Sequence, residues 1–323
     1  MTSRSRWPVA ALFLLSPLCG EYLLGNLAAS DLGALPFLAL LYGAGTILIR
    51  EAARRAGRGS ATMLLLGVAY ALIEEGLVDQ MLFNHHYYTG QAQESDTVLP
   101  LIGADAWLTI VVVAMHAVWS TYIPIALVEA LPEGRATRPW LGPVGTAVTA
   151  VVFVAGAVWL GWVIHGETGF FASAAQLAGT ALVVVALVVA AFTLPVRRPT
   201  VDRPGPRRLL AAAFAFAVSS LFMLTESLPG WAEVAAALTL VAGFVVVVAR
   251  WSRRSGFGSG HRLALVTGGV LTYAWLGLTM EPETGPRSTA DQVGAVVIAA
   301  FAIALVVLAL RRDGARERRE SRV

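Results

Sequence analysis

Apolar runs of about 18 residues or more alternate with short breaks of Pro, Gly and charge along the whole chain, and each run is long enough to cross a bilayer core as a helix. The breaks predict ten helices, at residues 7–29, 32–49, 61–84, 105–131, 141–164, 172–194, 208–226, 232–249, 262–280 and 291–310. The expected fold class is therefore all-α, a polytopic helical membrane protein of about ten transmembrane helices. Arg4 and Arg6 precede the first run as in a signal peptide. However, bulky Leu18 stands where a cleavage site needs a small residue and hydrophobicity continues to Ala29, so this run is read as an uncleaved span. The connections are short except at 84–104 and 196–208. The second, with Pro199, Pro204 and Pro206, divides the chain into helices 1–6 (residues 1–195), a Pro- and Arg-rich linker (196–208), helices 7–10 (209–310) and a basic tail (311–323). No motif of the first half recurs in the second, so no inverted repeat is read.

Composition strengthens this picture. The chain is 57% hydrophobic and 14% charged, where a soluble domain carries about 25% charged residues. Mean hydropathy is +0.68. The single cysteine, Cys19, excludes an intrachain disulfide framework and a cysteine metal cluster. All 24 basic residues are arginine, and they fall in clusters between apolar runs, which speaks for membrane topology and against nucleic-acid binding. With ten alternating helices every arginine but Arg287 lies on one face. The positive-inside rule makes that face cytoplasmic, with both termini there, in a multi-pass protein of the cell membrane whose tail rests on anionic lipid.

Ionisable side chains inside a membrane cost roughly 2.5–3.5 kcal/mol each on insertion scales, so those that occur point to function. The predicted spans hold Glu21 in the first, Glu74, Glu75 and Asp79 in the third, and His116 and Glu129 in the fourth. At 1.5 Å per residue, Glu21, Glu75 and His116 sit about 12, 14 and 16 Å from the outer ends of their helices, a common level in separate segments. Glu75 and Asp79 share a helix face, as do His116 and Ser120, and Glu74 lies about 100° round from Glu75. Two adjacent carboxylates in a low dielectric share a proton more readily than both ionise, and an imidazole at the same depth orients water or relays a proton. The candidate catalytic residues are therefore Glu75, Glu74 and His116, supported by Glu21, Asp79 and Ser120. Glu129 is expected to pair with Arg135 or Arg54, while Arg50 and Glu51 anchor the second helix at its border. His85 and His86 read as a metal pair or as part of an interfacial belt, and Trp119 and Trp140 as interfacial anchors. Gly43, Gly156 and Gly268 suit close helix packing.

The sequence has no HExxH, GxSxG or DDxxD motif and no phosphate-binding glycine loop. A metal needs three or four ligands, which Glu21, Glu75, Asp79 and His116 supply only if their helices meet. No metal site is assigned and the cofactor is unknown.

The segment Ala71-Leu72-Ile73-Glu74-Glu75-Gly76-Leu77-Val78-Asp79-Gln80-Met81-Leu82-Phe83 resembles the first motif of the CAAX-protease and bacteriocin-processing family of intramembrane endopeptidases, and His116 with Ser120 is similar to a later one. Asp79 stands where that family has Arg, Ser120 replaces Asn or Asp, and a second intramembrane histidine is absent from the sequence. The resemblance implies peptide-bond hydrolysis in the membrane, with Glu75 or Glu74 as the base and His116 as the water-orienting or oxyanion partner. The residues by themselves leave three functions open: a hydrolase acting on a membrane-embedded peptide or small molecule, a proton-coupled secondary transporter, or a non-catalytic scaffold.

Overall fold

The computed structural model describes residues 6–87, 95–132, 137–195, 200–283 and 285–320. Arg135 and part of the 196–208 linker lie outside the described residues. The described residues form ten long helices and one 3-10 turn (Met81–Phe83): α1 (7–22), α2 (Ala29–Arg55), α3 (Ser60–Val78), α4 (Ala106–Ala130), α5 (Pro143–Thr168), α6 (Ala174–Thr193), α7 (Arg208–Ser227), α8 (Trp231–Ser252), α9 (Ser259–Thr279) and α10 (Thr289–Glu320). Eight of them are long and apolar enough to cross a membrane; α1 and α9 are the other two. A two-stranded antiparallel hairpin, β1 (Val98–Leu99) with β2 (Ala104–Asp105), sits in the long α3–α4 connection. The protein is a polytopic all-α membrane protein.

Local chemistry accounts for the helix ends. Asp105 caps α4 by accepting the Leu108 N–H at 2.7 Å, and Ser173 with Gln176 closes a reciprocal capping box on α6. Gly169, at φ +64°, ends α5 in the left-handed conformation that glycine adopts without a Cβ penalty. Two helices stop earlier than the hydrophobic pattern predicts. The α1 helix ends at Tyr22 and the chain turns at Gly25, at φ +96°. The α3 helix ends at Val78 because Asp79 accepts the Met81 N–H at 3.0 Å and Gln80 turns left-handed at φ +61°, held by the Ala172 N–H on its side-chain carbonyl at 2.6 Å.

Helices α1, α2, α4, α9 and α10 enclose a core that includes Leu12, Leu24, Leu41, Ile47, Ile123 and Leu127. Small residues bring backbones together: a Cβ on Gly43 would stand 2.2 Å from the Phe13 carbonyl oxygen, and one on Gly268 2.5 Å from that of Ala212. By contrast α5, α6 and α8 present apolar side chains outward, among them Val144 at 77% exposure and Trp162 at 74%. A surface that apolar is stable against lipid and not against water.

Hydrogen bonds tie the arginine-bearing helix ends into one end of the bundle. Arg58 donates to the carbonyls of Phe192 and Leu194, Arg208 pairs with Glu317, and Arg253 donates to Thr200. Arg312 and Arg316 reach the carbonyls of Leu131, Ala130 and Pro132, so the basic stretch continues α10 as helix and docks on the end of α4. At the opposite end Ser30 N–H donates to Asp291, and Trp107 donates to Thr225.

Arg50 and Glu51 are fully buried. Arg50 donates to Glu51 at 2.6 Å, pairs with Glu129 at 2.9 Å and stacks 3.3 Å from the Trp140 ring. Glu51 accepts the N–H groups of Trp140 and Leu141, and Arg54 makes a two-pronged pair with Glu129. These residues therefore lock α2, α4 and the start of α5 together, a stronger role than a border anchor. Trp140 belongs to that lock, and Trp119 is buried against Tyr273, so neither is an interfacial residue.

Candidate functional site

Three of the helices carry a π turn, and the candidate residues lie in them: Leu18–Tyr22 of α1 holds Glu21, Glu74–Val78 of α3 holds both glutamates, and His116–Tyr122 of α4 holds His116 and Ser120. A π turn widens the helix by one residue and is often found at functional sites. Proline explains two of them. Pro17 has no N–H for the Phe13 carbonyl, and Pro124 has none for the Ser120 carbonyl. A neighbouring helix packs on the first carbonyl, and neighbouring hydroxyls take up the second. The Gly43 backbone packs on the Phe13 carbonyl, and the Ser16 and Thr46 hydroxyls donate to the Ser120 carbonyl at 2.6 and 3.3 Å. Ser16 and Thr46 are also 2.8 Å apart. The bend that presents His116 is thus held by hydroxyls from α1 and α2.

His116 lies between the two glutamates. Its Nε2 is 2.5 Å from Glu75 Oε1 and its Nδ1 is 3.3 Å from Glu74 Oε2. The Ser120 hydroxyl is 3.2 Å from the same Nδ1. Glu74, Glu75 and His116 are 1%, 4% and 7% exposed. Among the described residues no arginine ion-pairs with Glu74, Glu75, Asp79 or Glu21. Asp79 stands beside Glu75 and is buried. Glu75 Oε2 has no hydrogen-bond partner among the described residues. One donor atom from each of Glu74, Glu75 and His116 lies within 4.8 Å of the others, so the trio has the spacing of a metal-binding group.

Glu21 joins from one step away. It accepts a 2.6 Å hydrogen bond from the Tyr42 hydroxyl and a 3.3 Å one from Asn26, and the Tyr42 ring centre is 5.6 Å from that of His116. A Cβ on the neighbouring Gly20 would stand 2.7 Å from the Ser120 hydroxyl, so glycine lets α1 approach the histidine turn. Helices α1, α3 and α4 do meet. Two contributions go beyond them: Tyr42 and Thr46 from α2, and Tyr273 from α9, which stacks on Trp119 at 4.6 Å with its hydroxyl buried and without a partner among the described residues. Tyr70 adds a ring 6.3 Å from His116. The sequence held a signal for some of these, since Tyr42 and Thr46 share a face of α2 and Tyr70 precedes Glu74 by one turn. Away from the cluster, Glu129 pairs with Arg50 and Arg54.

A family model matches residues 10–322, which take in the whole cluster and all ten helices but the first three residues of α1. The chain belongs to an uncharacterized membrane protein family. No curated protein and no solved structure matches the chain. The family description gives the membrane location and names no activity, so the chemistry rests on the side chains themselves.

Proposed function

We propose that the protein is a membrane-embedded hydrolase of the protease type, in which Glu75 and His116 activate water against an acyl bond. The observation that carries this reading is the imidazole between two buried carboxylates, at 2.5 and 3.3 Å. Water held at Glu75 and His116 gives one proton to the Glu75 carboxylate as its oxygen attacks the acyl carbon. The C–N bond then breaks and that proton passes to the leaving amine, so Glu75 ends as it began. Glu74 and Ser120 face the other ring nitrogen and fix the tautomer and angle of His116, as a carboxylate does behind a catalytic histidine. The glutamate pair and the histidine are also the residues on which the resemblance to the CAAX-protease and bacteriocin-processing family rests. The proposed substrate is a peptide segment lying in the membrane. The positive-inside rule supports a cytoplasmic placement of the arginine-rich end and hence of both termini.

A second reading, proton-coupled transport, draws on the same enclosure, since a histidine between two buried carboxylates is a short proton relay. New chain termini separate the two. Membranes from cells carrying the wild type, Glu75→Gln and His116→Asn are compared for cleaved membrane peptides. The hydrolase reading predicts termini present only with the wild type. Identical termini in all three, together with solute uptake that follows an imposed pH gradient, would replace it with the transport reading.

A further inference from the structure

We propose that Glu75 and His116 also bind a divalent first-row cation of the Zn2+ type, with Asp79 as a further oxygen donor and Glu74 as the outer partner of the histidine. Glu74, Glu75 and Asp79, at and just past the end of α3, gather at the His116 imidazole of α4, Glu21 of α1 stands one step away behind Tyr42, and among the described residues none of the four carboxylates pairs with an arginine. Charge of that sign at that depth needs a cation, either protons or a metal ion. Glu75 Oε2 is also buried with no N–H or hydroxyl donor on it, and the buried Asp79 carboxyl is in contact with Glu75, a side-by-side pair of carboxyl groups that a proton or a metal ion must bridge.

The arrangement around His116 separates ligand from support. A metal ion binds one ring nitrogen, and a ligating histidine usually gives its other N–H to a carboxylate that orients it. Nε2 faces Glu75 and Nδ1 faces Glu74, so the same ring has a ligand side and a support side. With Zn–N and Zn–O bonds of about 2.0–2.2 Å in a tetrahedral site, the Nε2 to Oε1 separation is about 3.3 Å. The observed 2.5 Å therefore opens by less than about 1 Å, which a rotation of the Glu75 carboxylate provides. An imidazole with carboxylates suits zinc, and manganese next.

This inference rests on the hydrolytic reading only in its consequence. A bound ion occupies the two atoms that the reading places on water, so occupancy and turnover exclude each other and a chelator raises activity. The binding itself is tested without turnover. Metal-stripped protein in lipid nanodiscs is titrated with Zn2+ and with Mn2+, and the bound ion is counted per chain and examined by X-ray absorption. The expected result is one saturable Zn2+ with a single imidazole in its shell. Glu75→Gln and His116→Asn lose it, Glu74→Gln weakens it about 10–100-fold, and the double change at His85 and His86 to Asn leaves it unchanged. Circular dichroism melts confirm that each variant is folded, and the near-isosteric Glu75→Gln is the variant that decides. Saturable zinc retained by folded Glu75→Gln, or lost with His85 and His86, would overturn the proposal. Absence of saturable zinc in the wild type would overturn it too, and Glu75-dependent cleavage in that same protein would leave the hydrolytic reading standing.

Discussion

Arg50→Met is expected to destabilise the fold by about 3–5 kcal/mol, the usual cost of removing one partner from a buried ion pair. The residue is fully buried, and its guanidinium holds Glu51 at 2.6 Å, Glu129 at 2.9 Å and the Arg138 carbonyl at 2.9 Å while stacking on Trp140. Methionine keeps most of the stem volume, so the loss is electrostatic. Glu129 keeps Arg54, and Glu51 keeps the Trp140 and Leu141 N–H groups, which together set the cost near the lower end of the range. The lost cation–π contact adds up to about 2 kcal/mol. Arg50→Lys keeps the charge but not the fork that serves two carboxylates and a carbonyl at once, and falls between wild type and Arg50→Met. The assay is reversible unfolding in mixed micelles, with Glu129→Gln added in a double-mutant cycle. Coupling between the two positions of about 1 kcal/mol or more follows from their contact. A change below about 0.5 kcal/mol for Arg50→Met, the range of a neutral surface substitution, would refute the claim that this network holds α2, α4 and α5 together.

Three other outcomes follow from particular contacts. Tyr42→Phe removes the 2.6 Å hydrogen bond to Glu21 and is expected to cost about 1.5–3 kcal/mol, a loss that nearly vanishes when Glu21 is already Leu, as a thermal-unfolding cycle shows. Gly43→Ala drives a Cβ into the Phe13 backbone and is expected to cost about 1–3 kcal/mol in the same micelle assay. Ser16→Ala leaves the Ser120 carbonyl to Thr46 alone, costs about 0.6–1.7 kcal/mol, and shifts the His116 ring resonances in a histidine-labelled sample.

The helices were legible because a hydrocarbon core demands runs of a set length, and Pro, Gly and Arg mark where each stops. That Glu21, Glu75 and His116 belong near one another was legible from their charge within apolar runs, but the distances to the helix ends were not, since α1 ends one residue after Glu21 and α3 three residues after Glu75. The early ends of α1 and α3 were not, because they depend on left-handed residues and a side-chain turn at Asp79 within sequence that is still apolar. The π turns were hidden behind the assumption of ordinary α spacing, although Pro17 and Pro124 mark carbonyls that lose their helical N–H, and hydroxyls of neighbouring helices take up that of Ser120. Tyr42, Thr46 and Ser16 escaped notice because hydroxyls are inexpensive in a span and carry no charge pattern. Arg50 looked like a border residue because its sequence neighbours are charged, and only the fold places Trp140 over it.

The most direct test of the water-activating site is isotopic. Wild-type and Glu75→Gln protein in liposomes are given a membrane-peptide pool in 18O-enriched water, and new carboxyl termini are read by mass spectrometry. The account predicts one solvent oxygen in each new carboxyl group with the wild type and no new termini with folded Glu75→Gln. New termini at equal rates in both, or none with either, would contradict it.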